Sequence, residues 1–490
     1  MTLNSVINKN NFVQSLLKIL PSQCVLHEAE DLAPYECDGL SVYRATPMAV
    51  VLPDNIEQIK TVLTLCHTEN IPVVARGAGT GLSGGALPLD NGILLSLARF
   101  NQILDIDTEN RTARVQPGVR NLAISEAAST HGLYYAPDPS SQIACSIGGN
   151  VAENSGGVHC LKYGLTVHNI IKLQIITMQG EELTLGGDAL DSPGYDLLAL
   201  MTGSEGLLGI ITEITVKLLP KPAAARVMMA SFNDVATAGQ AVSEVIASGI
   251  VPAGLELMDN AAIRAADDFV QAGYPRDAAA ILLCEVDGNE HEVADELEQA
   301  KAVLKASGAV EISIAGDEQE RLKFWAGRKA AFPAVGRLAP DYYCMDGTIP
   351  RHQIATVLTR IHELSDEYGL DVVNVFHAGD GNLHPLILYD ANIDGELERT
   401  EELGGRILEV CVELGGSITG EHGVGMEKIN QMCVQYNSNE LTQFHAIKYA
   451  FDPDGLLNPG KAIPTLHRCA EFGAMHVHHG QLAHPHIERF

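Results

Sequence analysis

A run of small residues follows a predicted β-strand early in the chain and decides how the sequence folds. It reads Arg76-Gly77-Ala78-Gly79-Thr80-Gly81. Gly79, Gly81 and Gly84 have the spacing G-x-G-x-x-G, which starts a helix in a dinucleotide-binding fold. Here Pro88 and a turn at 90–92 follow instead, so no helix is expected. The run is predicted to be a loop whose successive amides converge on a diphosphate, with a flexible surface turn as the alternative.

A second run of small and polar residues, between positions 137 and 164, strengthens the ligand-binding interpretation. It contains Pro137-Asp138-Pro139-Ser140-Ser141, Ser146-Ile147-Gly148-Gly149-Asn150 and Asn154-Ser155-Gly156-Gly157. Such a backbone can lie flat against a large planar ligand because few side chains stand in the way. Residues 137–164 are predicted to form one long loop, and a loop of that length in a compact domain is usually functional.

Alternating apolar patterns surround both runs. Residues 49–53 are predicted to form a strand, Asn55 to cap a helix, and residues 71–76 to form a second strand. Pro220 and Pro222 mark a domain boundary, beyond which helices and strands alternate again. The other predicted elements are strands at 92–97, 112–115, 170–178, 209–218 and 280–284, and helices near 122–131 and 292–305.

Length, charge and cysteine spacing limit the class of protein. A chain of 490 residues exceeds one compact core, so two or three domains are expected. The net charge of −30 repels phosphate backbones, which argues against nucleic acid as a partner. Residues 1–20 lack the pattern of a secretory signal, and no stretch is long enough to span a bilayer. The ten cysteines form no Cys-x-x-Cys pair, which excludes a conventional iron–sulfur cluster held by this chain alone and favours a reduced, cytoplasmic protein.

An octapeptide in the second half predicts a metal site. It reads His377-Ala378-Gly379-Asp380-Gly381-Asn382-Leu383-His384, and predicted strands at 372–376 and 385–389 flank it. In a hairpin with its turn at 379–382, His377 faces His384 directly, with Cβ atoms about 5 Å apart. Two imidazoles at that distance can chelate one metal ion, and apolar neighbours on the same face would keep the site dry. Two structural histidines are the alternative.

Two further elements carry candidate functional side chains. The sequence Gly420-Glu421-His422-Gly423 predicts a loop in which both central side chains can turn toward one ligand. Taken alone, it is more typical of an exposed acidic turn. Arg328 is a candidate because a guanidinium can hold a carboxylate with two parallel hydrogen bonds. A solvated helix residue is the commoner fate of an isolated arginine.

These motifs resemble those of a known flavoprotein family. The two Gly-rich runs and Thr202-Gly203-Ser204-Glu205-Gly206 look like the FAD-binding domain of the vanillyl-alcohol oxidase/PCMH superfamily. The second half resembles its FAD-linked oxidase C-terminal domain, and Asn458-Pro459-Gly460-Lys461 resembles the segment that returns to the flavin. The resemblance implies an α+β fold, in which a PCMH-type FAD-binding domain of two α+β subdomains precedes an α+β substrate (cap) domain with an antiparallel sheet. The predicted limits are an N-terminal helical segment at 1–45, the FAD-binding domain at 46–222, the C-terminal domain at 223–465 and a His-rich tail at 466–490.

The resemblance also implies roles for individual residues. In 2-hydroxy-acid dehydrogenases of this family, the residues that match His377, His384 and Glu421 bind a divalent metal, and two imidazoles with one carboxylate suit zinc, iron or manganese. By the same match, His422 is the base and Arg328 binds the substrate carboxylate. The residues predicted to bind FAD are Arg76, Gly77, Ala78, Gly79, Thr80, Gly81, Pro137, Asp138, Ser141, Ser146, Gly148, Gly149, Asn150, Asn154, Gly157, Glu205, Gly206, Ile211 and Asn458.

The activity implied is the oxidation of a small 2-hydroxy acid, glycolate first and D-lactate second. The hydroxyl proton passes to His422 and a hydride passes to FAD. Hydroxyglutarate dehydrogenases of the family carry a Lys where this chain has Cys344, so a second carboxylate lacks that charge partner. The run at 76–85 contains neither His nor Cys, so FAD is predicted to bind without a covalent link.

The resemblance implies partner proteins as well. Electrons are expected to pass to a second flavin-type subunit and an iron–sulfur subunit, and the chain is expected to reach the inner face of the cell membrane only through such partners. The alternatives are an oxygen-using 2-hydroxy-acid oxidase, a D-lactate dehydrogenase and, in another class, a non-catalytic flavin-binding subunit. Subunits of that last kind keep the Gly-rich loops but lack the histidine elements.

Overall fold

The first half of the chain contains two sheets with short helices around them. The computed structural model describes residues 9–189 and 193–465. The helices of this half are α1 (Lys9–Ile19), α2 (Ala29–Leu32), α3 (Ile56–Glu69), α4 (Asn121–Ala128), α5 (Ile147–Glu153), α6 (Cys160–Tyr163), α7 (Thr166–Asn169) and α8 (Leu197–Met201). The strands are β1 (Val25–Leu26), β2 (Ala49–Val51), β3 (Val73–Arg76), β4 (Ile93–Ser96), β5 (Ile103–Asp107), β6 (Thr112–Val115), β7 (Leu133–Tyr134), β8 (Ile170–Ile176), β9 (Glu182–Gly186), β10 (Ile210–Lys217) and β11 (Leu219–Pro220).

The first sheet has four strands in the order β1-β2-β4-β3. Strands β2, β4 and β3 run parallel, and β1 pairs antiparallel with β2 at one edge. Asn55 caps α3 as predicted, because its side chain accepts a hydrogen bond from the Gln58 N–H at 3.0 Å. The buried face of α3 packs in the same core cluster as β3 and β4. Strand β1 lies within the predicted helical segment 1–45, which therefore contributes a strand to this sheet.

The second sheet has five antiparallel strands in the order β5-β6-β10-β8-β9. Its central strands β8 and β10 bury Leu173, Ile175 and Ile214 against Ile147 and Val151 of α5. The strands predicted at 112–115, 170–178 and 209–218 are β6, β8 and β10. Strand β5 is not predicted by the sequence pattern.

Residues 137–164 differ from the predicted long loop, because α5 and α6 interrupt it. The Ser146 hydroxyl caps α5 by accepting a hydrogen bond from the Gly149 N–H at 3.4 Å. Gly148 lets the first turn of α5 approach Pro117, since a Cβ at Gly148 would lie 2.5 Å from the Pro117 Cβ. Two glycines in a helix of only seven residues hide its apolar pattern, which is why the sequence predicts a loop.

The second half forms one larger sheet between two layers of helices. The helices are α9 (Val235–Ala247), α10 (Asn260–Val270), α11 (Glu290–Ala306), α12 (Glu318–Lys329), α13 (Ala331–Val335), α14 (Ile354–Tyr368), α15 (Glu396–Glu413), α16 (Met432–Gln435) and α17 (Ser438–Phe451). The strands are β12 (Ala224–Phe232), β13 (Gly254–Asp259), β14 (Ala280–Gly288), β15 (Glu311–Ile314), β16 (Asp341–Cys344), β17 (Val372–Phe376) and β18 (Pro385–Tyr389).

The seven strands have the order β15-β12-β14-β13-β17-β18-β16, and every neighbouring pair is antiparallel. Apolar residues of α9, α11 and α14 pack on one face, and those of α10, α12 and α13 pack on the other. The predicted α+β fold with an antiparallel sheet in the second half is therefore confirmed. Within the described ranges, no helix is both long and apolar enough to cross a membrane. The predicted His-rich tail at 466–490 lies outside the described residues.

Candidate active site

A cavity lies where the two Gly-rich runs meet. The end of β3, the first turn of α5 and the segment before β10 form its walls. The lining residues that were predicted to bind FAD are Arg76, Gly77, Gly148, Gly149, Glu205, Gly206 and Ile211. The others are Ala75, Gly85, Ala86, Leu97, Pro117, Ala152, Glu153 and Gly209. Because most of these residues are Gly or Ala, a flat ligand can lie close to the backbone.

Ser146 joins the two runs into one structure. Besides capping α5, its hydroxyl accepts a hydrogen bond from the Ala78 N–H at 3.2 Å. A Cβ at Gly77 would lie 2.1 Å from Ser146 Oγ, so only glycine fits at this position. The close approach of the two runs therefore depends on a glycine in one run and a serine in the other.

Several other residues predicted to bind FAD support the walls from behind. The buried Asn121 side chain donates hydrogen bonds to Asn150 Oδ1 and to the Pro137 carbonyl, at 3.0 and 3.1 Å. Asp138 instead forms an ion pair with His159 at 2.8 Å. The residues that were predicted to bind FAD but do not line the cavity are Ala78, Gly79, Thr80, Gly81, Pro137, Asp138, Ser141, Ser146, Asn150, Asn154, Gly157 and Asn458. Their contact with FAD stays a prediction.

The segment that begins at Asn458 returns to the flavin half of the chain. The Asn458 N–H donates to the Val73 carbonyl at 2.8 Å, beside the edge of the first sheet. Its side-chain amide donates to the carbonyls of Gly85 and Glu205, at 3.0 and 2.7 Å. The Lys461 ammonium also donates to the Gly85 carbonyl, at 3.1 Å. These bonds hold the walls of the cavity together.

The β17–β18 hairpin carries both predicted histidines, but its register differs from the prediction. His377 pairs with Asn382, and the Val375 N–H lies opposite the His384 carbonyl. The four-residue turn is therefore 378–381 rather than 379–382, and it includes Gly381 at φ +86°, a left-handed conformation. A shift of two residues keeps both side chains on one face of the sheet. The rings meet diagonally, with centroids 5.0 Å apart.

Glu256 on β13 orients His377. The register of β13 with β17 places these two residues side by side, and both are buried. Glu256 Oε1 lies 2.9 Å from His377 Nδ1. Because Nδ1 is engaged by this carboxylate, Nε2 is the nitrogen that would bind a metal, in exchange for its proton.

Glu421 approaches both histidines from the Gly-flanked loop. Its Oε1 lies 3.5 Å from His377 Nε2 and 3.1 Å from His384 Nε2. One ligand atom from each of the three residues lies within 4.8 Å of the others. Among the described residues, no hydrogen-bond partner of good geometry meets either ring nitrogen of the buried His384. A buried imidazole without a partner is costly, and a cation between the three side chains would supply one, so the cluster fits a divalent metal.

The charges in the cluster also favour a cation. Burial raises the pKa of Glu421, but His377 and His384 outweigh burial and hold that pKa well below its usual value. Burial lowers the pKa of His377, but Glu256 and Glu421 outweigh it and hold that pKa well above its usual value. The carboxylates therefore stay ionised and attract positive charge to the point between the imidazoles.

Asp346 holds the loop 419–425, here called the base loop, in place. Its fully buried carboxylate accepts hydrogen bonds from the N–H groups of Gly420, Glu421 and His422, at 3.1, 3.2 and 2.9 Å. The Thr419 hydroxyl also donates to it, at 2.6 Å. These bonds fix the backbone so that both central side chains lie at the histidine cluster. The interpretation of this segment as an exposed acidic turn is therefore wrong.

His422 stacks on His384, with ring centroids 5.1 Å apart and planes 16° apart. Burial lowers the pKa of His422 to about 4, and Asp346 opposes this shift without cancelling it. The imidazole is therefore neutral near pH 7 and can accept a proton. In the part of the chain that the structure describes, its buried Nδ1 has no hydrogen-bond partner.

Arg328 lies on α12 and is 2% exposed, so it is not a solvated helix residue. Its Nε and Nη2 lie 2.7 and 2.6 Å from Glu256 Oε2. The sequence predicts a guanidinium that is free to hold a substrate carboxylate with two parallel hydrogen bonds. The structure differs, because part of the guanidinium already binds a protein carboxylate. Through Glu256, Arg328 is linked to His377. Its contact with a substrate carboxylate stays a prediction.

Sequence reasoning missed three buried carboxylates at this site. Glu256 lies in a strand whose six residues are all buried, and a charged residue in such a strand is a detectable signal. Asp346 lies two residues after the end of β16, but no motif marks its bonds to a loop far along the chain. Glu153 lines the cavity at the end of α5, where its neighbours drew attention instead.

Comparison with known proteins first defines the class. Residues 47–186 match the family described as the FAD binding domain, and residues 221–462 match the C-terminal domain of FAD linked oxidases. The crystal structure of p-cresol methylhydroxylase with substrate bound superposes with a TM-score of 0.80 at 20% identity, over 94% of this chain and 97% of that chain. That likeness shows the fold, and the two matched domains make the protein an FAD-linked oxidoreductase.

Closer relatives then define the family. The glycolate oxidase subunit GlcD of Escherichia coli (strain K12) is 66% identical over 484 residues, which are 99% of this chain and 97% of the relative. The D-lactate dehydrogenase of Anaerostipes hadrus is 33% identical over 86% of this chain and 91% of that protein. The chain belongs to the family of FAD-linked oxidases that includes these hydroxy-acid enzymes.

Proposed function

We propose that this protein oxidises glycolate to glyoxylate as the catalytic subunit of a larger complex, with D-lactate as its second substrate. The observation that carries the proposal is the cluster of His377, His384 and Glu421 with His422 stacked beside it. The cluster touches the flavin half, since a Cβ at Gly156 would lie 2.9 Å from Glu421 Oε2. The 66% identity to a glycolate oxidase subunit supports the choice of substrate.

The residues present fit both prosthetic groups. His377 and His384 would hold zinc, iron or manganese through Nε2, and Glu421 through Oε1. The cavity between the two Gly-rich runs would hold FAD. When bound, FAD supplies the acceptor for two electrons and the metal supplies positive charge that favours loss of the hydroxyl proton.

Each of the other side chains at the site has a separate role. His422 accepts the hydroxyl proton at Nε2, the nitrogen that lies 4.0 Å from Glu421 Oε1. Its low pKa keeps the imidazole neutral before the reaction, and this role requires the tautomer with the proton on Nδ1, which leaves Nε2 free to accept. Glu256 holds His377 in the ligating tautomer, and Asp346 holds His422 in reach of the substrate. Oxidation of the alcohol carbon removes one proton from oxygen and one hydride from carbon.

The cations near the site favour a short acid with one carboxylate. Cys344 is buried and uncharged, with its thiol 3.4 Å from the Met345 carbonyl. Arg337 and Lys329 are not placed to replace a lysine there, because Arg337 lies over the Phe269 ring at 4.6 Å and Lys329 is exposed. The buried Lys428 is already paired with Asp346 and Glu427, at 3.3 and 3.4 Å. A second carboxylate would therefore compete for a cation that is already paired, at a cost of several kcal/mol. We therefore expect 2-hydroxyglutarate to be oxidised poorly.

The proposal includes non-covalent FAD and electron transfer to partner proteins. Neither His nor Cys lies in residues 76–85, so acid precipitation should release all the yellow colour into the supernatant. The partners proposed are a second flavin-type subunit and an iron–sulfur subunit, because the relative is itself described as a subunit. Any association with the membrane would occur through these partners.

Anaerobic flavin bleaching tests the proposal directly. Purified protein of known metal and FAD content is mixed with glycolate, D-lactate or 2-hydroxyglutarate, and the absorbance of oxidised flavin is followed. Glycolate should bleach the flavin fastest, D-lactate next and 2-hydroxyglutarate far more slowly. A flavin that none of these acids reduces would overturn the proposal and leave the non-catalytic subunit as the better description.

The oxygen-using oxidase is tested in the same preparation. Reduced flavin should pass electrons to an artificial dye much faster than to oxygen if partner proteins are the natural acceptors. Rapid formation of hydrogen peroxide by the isolated chain would instead favour the oxidase.

A further inference from the structure

Glu205 belongs to the flavin half but binds the base loop of the other half. It is 7% exposed and lines the flavin cavity. Its Oε1 accepts a hydrogen bond from the Val424 N–H and its Oε2 accepts one from the Gly425 N–H, both at 2.7 Å. Each oxygen thus has its own backbone donor in the loop that carries Glu421 and His422.

The backbone of Glu205 is itself held on both sides. Its N–H donates to the Ala152 carbonyl at 2.8 Å, and its carbonyl accepts from the Asn458 side chain at 2.7 Å. The residue has φ +50°, a left-handed conformation that costs a non-glycine residue on the order of 1 kcal/mol or more. Such a conformation persists only where the surroundings impose it. The carboxylate is therefore presented to the base loop from a fixed point.

The Glu153 side chain packs between the cavity and the base loop. A Cβ at Gly423 would lie 2.0 Å from Glu153 Oε2, and one at Gly85 would lie 2.9 Å from Glu153 Oε1. Burial, with the nearby Glu205 adding to it, raises the pKa of Glu153 well above its usual value, and burial raises the pKa of Glu205 too. These shifts favour a proton within the pair, which lets the two carboxyl groups pack side by side. The base loop therefore has little freedom to move toward or away from the cavity.

We propose that Glu205 is a positioning residue, which sets the distance between the flavin cavity and the side chains of Glu421 and His422. This inference rests on the proposed function. Asp346 fixes residues 420–422 within their own half, whereas Glu205 ties residues 424 and 425 to the flavin half. A proton acceptor on one half and a hydride acceptor on the other must meet the same substrate carbon and oxygen, and a misplacement of about 1 Å can cost 10²-fold in rate.

The test substitution is Glu205→Gln, because an amide can accept at only one of its two ends. We expect the limiting rate of anaerobic flavin reduction by glycolate, per bound flavin, to fall at least ten-fold, while the Kd for glycolate changes little. Reduction of the same flavin by dithionite should stay at the parent rate. Glu213→Gln is the matched control, since Glu213 contacts Arg114 on the outer face of the same half.

A purely structural role for Glu205 gives a different result. It would lower FAD content or thermal stability but leave the reduction rate per bound flavin equal to that of the parent, and that outcome overturns the inference. If none of the tested acids reduces the parent, the proposed function itself fails. The two failures are therefore distinguishable in one experiment.

A second variant probes the same contact from the base loop. Gly423→Ala places a methyl group against Glu153 and should also slow flavin reduction at least ten-fold per bound flavin. Gly369→Ala is its control, because Gly369 also has positive φ, +63°, but a Cβ there meets nothing within 4 Å. If Glu205→Gln does not fold, parent-like reduction in Gly423→Ala overturns the inference, and slow reduction supports it.

Discussion

The cavity between the Gly-rich runs and the cluster of His377, His384 and Glu421 lie against one another, but one is built largely from backbone and the other from side chains. Nine of the fifteen residues that line the cavity are glycine or alanine. The cluster consists of buried imidazoles and carboxylates, each supported by another charged or polar group. A ligand in the cavity is therefore recognised mainly by shape and amide groups, and a ligand in the cluster mainly by charge.

Because of this difference, the two sites should be sensitive to different kinds of substitution. Loss of one side chain removes a ligand or a base from the cluster but leaves the cavity wall intact. The wall is damaged by added bulk, as at Gly77, where a Cβ would lie 2.1 Å from Ser146 Oγ. Metal binding and FAD binding should therefore be separable by substitution, and the following predictions test that separation from the largest effect to the smallest.

The largest effect is expected from loss of a proposed metal ligand. His377→Ala or His384→Ala should lose the metal and most of the activity while keeping FAD, because each substitution removes one of the three proposed ligands and leaves the cavity wall intact. Metal analysis and the flavin spectrum of the same sample measure both losses. His362→Ala, at a histidine whose side chain is 78% exposed, is the control. Metal content equal to the parent's would show that the ion is not held here.

Loss of the proposed base should be large but should leave both groups bound. In His422→Ala we expect flavin reduction to slow by roughly 10²–10⁴-fold, the usual contribution of a positioned base. Metal and FAD content should match the parent, since His422 is not among the three proposed ligands. Rapid-mixing measurement of flavin reduction checks the rate. An unchanged rate would assign the proton to another acceptor.

Substitution of Arg328 should have a smaller effect, which falls on both stability and activity. Arg328→Ala leaves the buried Glu256 with His377 but without its cationic partner, and breaking a buried ion pair costs up to about 3–5 kcal/mol, so the melting temperature should fall. The kcat/KM should fall for every acid tested if the guanidinium also contacts the substrate carboxylate. Arg328→Lys should restore only part of either quantity, because an ammonium cannot make both contacts. Lys329→Ala, at the exposed neighbour, is the control; kcat/KM equal to the parent's in Arg328→Ala would remove the proposed substrate contact.

Backbone-built features were the easier ones to predict from the sequence. Glycines and Asn55 act locally, so the sequence pattern predicts the first loop, the capped helix α3 and the β17–β18 hairpin correctly. The pairing register of this hairpin was harder to predict. Its turn lies one residue earlier than predicted, with Gly381 in a left-handed conformation. That shift kept His377 and His384 on one face, so the predicted ligand pair survived the error.

Side-chain support was harder to predict because it comes from distant parts of the chain. Glu256 reaches His377 across a strand pairing between residues that are 121 positions apart. Asp346 reaches the base loop from more than 70 positions away. Neither contact leaves a local pattern. The family resemblance named the three side chains that meet in the cluster, and their role as metal ligands stays a prediction. It could not show that Arg328 already binds Glu256.

The smallest effect is expected at the contact between the two halves, where His159 pairs with Asp138 of the flavin half and Glu285 of the other. Burial lowers the pKa of His159, but Asp138 and Glu285 outweigh burial and raise it to about 10. A pKa that is raised in the folded state stabilises the fold fully below the unfolded value of about 6.5, and this contribution is lost as the pH rises through 10.

The melting temperature of the parent should therefore fall more steeply between pH 7 and 10 than that of His159→Gln, by roughly 2–4 °C for each kcal/mol lost. His131→Gln, at an exposed histidine, should keep the parent slope. Parallel slopes for the parent and His159→Gln would show that the charge on His159 does not stabilise the contact between the halves.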